Sequence, residues 1–333
     1  MLTLGDRSQA FQSLQNGQRL KADLNRYSNE LSTGKPADLA AHLSGRTAHV
    51  AGLDRDIARI DGFLETSSTL ATMFDRQQQS LGAVSDGLDR SAHRLVVLTA
   101  ASMDSQIAAA EAEGLQTFTT AIAQLNATLG GRSLFAGISP DRAPLASADT
   151  ILTALETEVA GLSSATDIAR AVRDWFADTT GGFSAVAYRG ATGDPAHYRL
   201  SESSGIDAAA RADASELREA LAASATAALS GRLSGLVSRD ARVDLLQAAG
   251  THSFEAAHRV HALAARVGED QALIETERVR LSAQRTVFAS ARNDNVLIDP
   301  FEAATRLQDA QQSLELHYAA TARLLRLSLA NYL

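Results

Sequence analysis

The stretch Asp299–Leu333, DPFEAATRLQDAQQSLELHYAATARLLRLSLANYL, decides the fold. It reads as one amphipathic helix that stays apolar to its last residue. Ala304, Leu307, Gln311, Leu314, Tyr318, Thr321, Leu325 and Leu329 recur at steps of three and four, with Leu327 and Leu333 widening the stripe. Chain ends fray unless something holds them. A stripe that ends on Leu333 therefore predicts a C-terminus docked on another amphipathic helix, in the same chain or in a neighbouring copy.

The N-terminus supplies a partner. Leu14, Leu20, Leu24, Tyr27 and Leu31 form a similar stripe that stops at Ser32-Thr33-Gly34-Lys35-Pro36. Gly34 reads as a C-cap, and Pro36 forbids helical continuation. Two such helices, one from each end, predict a pair in which the chain ends meet.

Between them, proline is absent from Ala37 to Phe135. Apolar spacing persists through Leu43, Val50, Leu53, Ile57, Ile60, Leu64, Ala71, Phe74, Leu81, Leu88 and Leu95, then through Leu115, Phe118, Ile122, Leu125 and Leu129. Both runs predict long helices. Gly130–Gly137, followed by Pro140 and Pro144, predicts a turn or short hairpin near 130–144. A helical segment follows from about Ala148 to Ala177. Residues 181–213, with Tyr198 and Leu200 alternating with Arg199 and Ser201, hold the strand signal. Helical periodicity then returns, with Leu263, Val267, Ile274, Leu281 and Phe288 on one seam. The expected fold is mainly α: long N- and C-terminal helices paired as a coiled coil or bundle, with a small β-containing insert in mid-chain. Three parts are expected: 1–40 with 299–333 as a terminal coiled coil, 41–180 with 214–298 as a helical rod, and 181–213 as a β-rich outer insert.

Composition narrows function. Hydrophobic residues make up 45% of the 333, yet aromatics only 5%, so small residues must fill the core and helices must pack closely. Net charge is −8, which argues against nucleic acid, and no run reaches the length of a membrane span. Without cysteine there are neither disulfides nor thiolate metal sites. The start MLTLGDRSQAFQSLQ lacks a basic region followed by an apolar core, so no cleavable secretory signal is expected.

Catalytic constellations do not emerge. His258 and His261, with Glu255 one turn earlier, have ligand spacing, but a zinc-type site needs three or four converging ligands. His42 and His49 lack an acidic third partner. Gly34-Lys35 lacks the upstream glycines of a phosphate loop. Glu111 and Glu113 face different directions on a helix. Trp175 and Phe176 are expected to anchor the insert rather than stack a ligand. No enzyme activity and no cofactor are expected.

Four segments resemble the bacterial flagellin superfamily, and within it the proteins of the hook–filament junction. LNRYSNELSTGKPAD at 24–38 resembles the helix end of that family, although its acidic pair before proline is reduced here to Pro36-Ala37-Asp38. GGRSLFAGISPDRAP at 130–144 is the most specific match. GGFSAVAYRGATGDPAHYRLSE at 181–202 resembles the small insert, and 299–333 the C-terminal ending. The resemblance implies a structural protein of the flagellum. It implies export through the flagellar type III channel, binding of an export chaperone by the C-terminal helix, and assembly with copies of itself in a ring. The neighbours would be another hook-associated protein and flagellin. The assembly interface would comprise Leu14, Leu20, Leu24, Tyr27, Leu31, Leu307, Leu314, Tyr318, Leu325, Leu329 and Leu333. A filament flagellin and, outside the family, a cytoplasmic coiled-coil signalling or scaffold protein are the alternatives.

Overall fold

The computed structural model describes residues 4–207 and 210–330, with side chains at 8 and over 11–324 outside that gap. The chain is mainly α, with two small two-stranded sheets. It divides into two compact units: residues 1–61 with 282–333, and residues 62–281.

Helix α1 (Leu4–Thr33) ends where the sequence predicts. Gly34 adopts φ 67°, and its N–H donates to the Glu30 carbonyl at 2.8 Å. The left-handed conformation costs glycine nothing, so the C-cap is sequence-encoded. The short α2 (Leu39–Leu43) is opened by Asp38, whose carboxylate accepts from the Ala41 N–H (3.0 Å). Helix α3 (Thr47–Leu95) runs through the boundary between the units, and α4 (Asp104–Leu125) follows. On α4 the buried face is Ile107, Ala110, Gly114, Phe118, Ile122 and Leu125. Leu115, expected on that seam, is instead exposed, because the glycine beside it lets α4 approach its neighbour more closely.

Strands β1 (Thr128–Leu129) and β2 (Arg132–Ser133) form an antiparallel hairpin. Its two-residue turn is Gly130-Gly131, with φ 57° and 80°. Both central residues of such a turn need positive φ, which two glycines supply without strain. The hairpin thus occupies 128–133, the front edge of the predicted region. The chain beyond it turns inward: Ser133, Leu134, Phe135 and Ala136 are buried.

Two helices replace the single expected segment over 148–177: α5 (Ala148–Glu158) and α6 (Ala165–Ala177). Gly161, at φ 85°, breaks the helix between them, and Ser147 caps the first by accepting from the Thr150 N–H (3.1 Å). Phe183–Ala187 is a π-helical turn. It buries Phe183 and Ala187 and leaves Ala185 exposed, whereas an extended strand would place all three on one side. Trp175, Phe176, Phe183 and Tyr188 form an aromatic cluster with centroids 5.0 to 6.5 Å apart, so Trp175 and Phe176 do anchor this segment. Strands β3 (His197–Arg199) and β4 (Gly205–Asp207) pair antiparallel. Leu200, Ile206 and Ala212 of this region are buried in the same core as α3 to α7.

Helix α7 (Ser215–Arg232) is buried on every side from Ala220 to Ser230. Its sequence, ALAASATAALS, explains how: small side chains let neighbours close in all round. A Cβ on Gly114 of α4 would lie 2.7 Å from the Ala227 Cβ. The small-residue composition is therefore a packing device. Helix α8 (Arg239–Val296) returns through the unit boundary, and α9 (Pro300–Ala330) closes the fold.

Candidate assembly surface

Helices α1 and α9 pair antiparallel within the first unit. Three contacts fix the register. Ser13 Oγ lies 3.3 Å from Thr321 Oγ1. Gly17 faces His317, and the Ile298 N–H donates to the Gly34 carbonyl at 3.2 Å. On α9 the covered positions are Ala303, Leu307, Ala310, Leu314, His317 and Thr321, in regular steps of four and three. The stripe expected from sequence is therefore displaced at alternate positions. Ala304, Gln311 and Tyr318 are exposed, and the residue before each is covered. Alanines at 303 and 310 bring the helices together, which large residues at 311 and 318 would prevent.

The residues singled out as an interface fall into two sets. Leu20, Leu24, Tyr27, Leu307 and Leu314 are half-buried along the α1–α9 seam. Leu14, Leu31 and Tyr318 face outward; Leu14 is 64% exposed and Tyr318 49%. The side chains of Leu325 and Leu329, and the whole of Leu333, lie outside the described residues. Phe11, Leu316 and Leu324 are also exposed, and sequence reasoning missed them. The signal that could have found them is that apolar residues on α9 cover more than the one stripe a two-helix pair can bury. The Lys21 ammonium lies 5.8 Å from the Tyr318 ring centroid, so the long side chain partly shields that face.

Where α1 ends, the same unit is secured by a small cluster of Leu43, Val50 and Val296. Arg285 and Arg292 of α8 pair with Asp61 and Asp54 of α3, each at 2.5 Å. These partners are solvent-accessible, so water and salt screen the attraction and each pair contributes little to stability.

The titratable residues are structural in their surroundings. His258 is exposed, and His261 lies 3.6 Å from Asp89. Among the described residues no three metal-ligating side chains converge. Glu111 accepts from Arg242 (2.9 Å) and from Ser230 (3.1 Å), while Glu113 pairs with Arg94 (2.9 Å), so the two carboxylates diverge. Among the described residues no helix is long and apolar enough to cross a membrane.

The helical order α1 to α4, followed by the hairpin and its inward loop, coincides with a known family model, the bacterial flagellin N-terminal helical region, matched over residues 6–140. The N-terminal region of this chain is flagellin-like. The match ends at Pro140, the last residue of GGRSLFAGISP. Among solved structures, a chain described as a flagellar hook-associated protein from Vibrio parahaemolyticus is similar, with a TM-score of 0.51 and 14% identity over 74% of this chain and 96% of that one. That likeness shows a shared fold over about three quarters of this chain, 74%. FlgL of Bacillus cereus is also similar, with a TM-score of 0.49 and 14% identity over 74% of this chain and 99% of that one. No curated protein matches the sequence.

Proposed function

We propose that this chain is a structural subunit of the bacterial flagellum that forms the hook–filament junction, as hook-associated protein 3 does, by assembling with copies of itself. The observation that carries this reading is the set of large apolar side chains that the α1–α9 seam leaves uncovered. Phe11, Leu14, Leu316, Tyr318 and Leu324 are large, apolar and exposed on helices whose other face is already covered. Burying an aliphatic side chain of this size contributes roughly 1.5–3 kcal/mol. In a ring that gain recurs at every contact between copies, which suits a protein whose role is to hold others in place.

On this reading the subunit leaves the cell through the flagellar type III channel without a cleaved signal. An export chaperone covers the C-terminal helix before assembly. Its neighbours in the flagellum are another hook-associated protein and flagellin. It works without a cofactor and catalyses nothing.

A deletion strain tests this directly. Loss of a junction protein leaves the hook complete and flagellin shed as monomer, with immunogold label for the protein at the base of wild-type filaments. Label along the whole filament would instead identify a filament flagellin. Protein confined to the cytosol would overturn the flagellar reading.

A further inference from the structure

The GGRSLFAGISP segment, the most distinctive motif in the chain, lies outside the α1–α9 pair. Within the second unit it forms one wall of a groove of about 710 Å³. The opposite wall is α3 from Glu65 to Gln77, three turns and about 18 Å at 1.5 Å per residue. Its larger apolar lining residues are Leu70 and Met73 from α3, Leu129 and Leu134 from the hairpin region, Ile138, and Tyr198 from β3. The groove is built rather than incidental. Gln77, 1% exposed, donates from Nε2 to the Leu134 carbonyl (2.6 Å) and ties the two walls together. Its Oε1 is buried without a partner. Gly137, at φ 64°, leaves room for the Arg211 side chain in the lining, since a Cβ there would lie 3.1 Å from Arg211 Cδ.

Three charged side chains line the groove. Arg211 is already neutralised by Asp213, at 2.7 Å. Glu65, exposed at the start of the α3 wall, engages no side-chain partner among the described residues, so the anionic head is placed at the hairpin wall, away from α3. Arg132, exposed on β2, engages no side-chain partner among the described residues. A concave site of this volume, apolar over most of its lining and carrying one unpaired guanidinium, has the composition of a site for a slender amphiphile. We infer that this groove binds an amphiphile with a single anionic head, the head on Arg132 and the apolar tail between Met73, Leu70 and Ile138. Ile138, 63% exposed, would be covered by the tail. The inference is independent of the flagellar reading.

Decanoate below its micellar concentration is the probe, titrated calorimetrically into the full-length chain, with 1-decanol as the uncharged control. Saturable one-to-one binding of decanoate is expected, with weaker binding of decanol. Arg132→Gln should weaken decanoate by about tenfold, the loss of one charge-assisted contact. Met73→Trp, which fills the groove, should abolish binding while thermal unfolding shows the variant folded. If Met73→Trp does not fold, Ile138→Trp at the exposed lip makes the same test. Absence of saturable binding, or affinity unchanged in both Arg132→Gln and the groove-filling variant, would overturn the inference. Binding that survives filling would place the amphiphile on the exposed faces of α1 and α9 instead.

Discussion

His317 of α9 sits directly over Gly17 of α1: a Cβ on residue 17 would lie 3.0 Å from the imidazole Nε2. Glycine is poor in a helix interior, costing roughly 1 kcal/mol relative to alanine. Here it provides a notch for a large side chain, while the rest of the covered stripe on α9 is leucine, alanine and threonine. The notch also selects the register, because sliding α9 by one heptad would place Ala310 or Leu324 over the gap.

Gly17→Leu is therefore expected to disrupt the α1–α9 pair, and His317→Ala in the same chain to restore much of it. The readout is helicity at 222 nm with protection of α1 from limited proteolysis. Additive losses in the double variant would show that the two residues do not meet.

Leu14 and Leu20 lie six residues apart on α1 but differ in surroundings, one outward and one in the seam. Leu14→Asp should leave the melting profile of the isolated chain unchanged and prevent its incorporation into flagella. Leu20→Asp should destabilise the terminal pair itself, since a carboxylate in the half-buried seam gives up apolar burial and part of its own hydration. Motile cells carrying Leu14→Asp in their flagella would remove the outward face from the account of assembly.

Gly114 permits the close crossing of α4 and α7. Gly114→Val should overpack it and destabilise the second unit by about 1–3 kcal/mol or more, lowering its melting temperature by several degrees. Gly62, on α3, has nothing within 4 Å of a Cβ, so Gly62→Ala is the control and should be neutral or stabilising.

Tyr188 gives a pH signature. Its hydroxyl donates to the Ala191 carbonyl at 2.8 Å, and burial, reinforced by the Asp213 carboxylate, pushes its pKa from the usual 10 up to about 12. The folded state therefore keeps a proton that the unfolded chain has lost, so stability falls as pH rises from 10 through 12. Urea unfolding of wild type and Tyr188→Phe across that range should show the slope in the first and its reduction in the second. Equal slopes would mean that Tyr188 titrates alike in both states.

Local chemistry set much of this fold. Gly34 ended α1, Gly130-Gly131 made the hairpin turn, and the proline-free run from Ala37 to Phe135 became α3 and α4, because caps, tight turns and apolar periodicity depend on a few neighbouring residues. The shortage of aromatics pointed correctly to close helix packing. What sequence reading missed were facts about partners. Ala303, Ala310 and His317, rather than Ala304, Gln311 and Tyr318, face α1, since a one-residue rotation of a helix leaves its periodicity unchanged and only the opposing surface distinguishes the two. Leu115 yielded its place to Gly114 because Ala227 approaches there. Phe183–Ala187 coiled into a helical turn because its aromatic neighbours on α6 reward that geometry. The groove beside Arg132 was invisible for the same reason: its walls are far apart in sequence, and only tertiary packing brought them face to face.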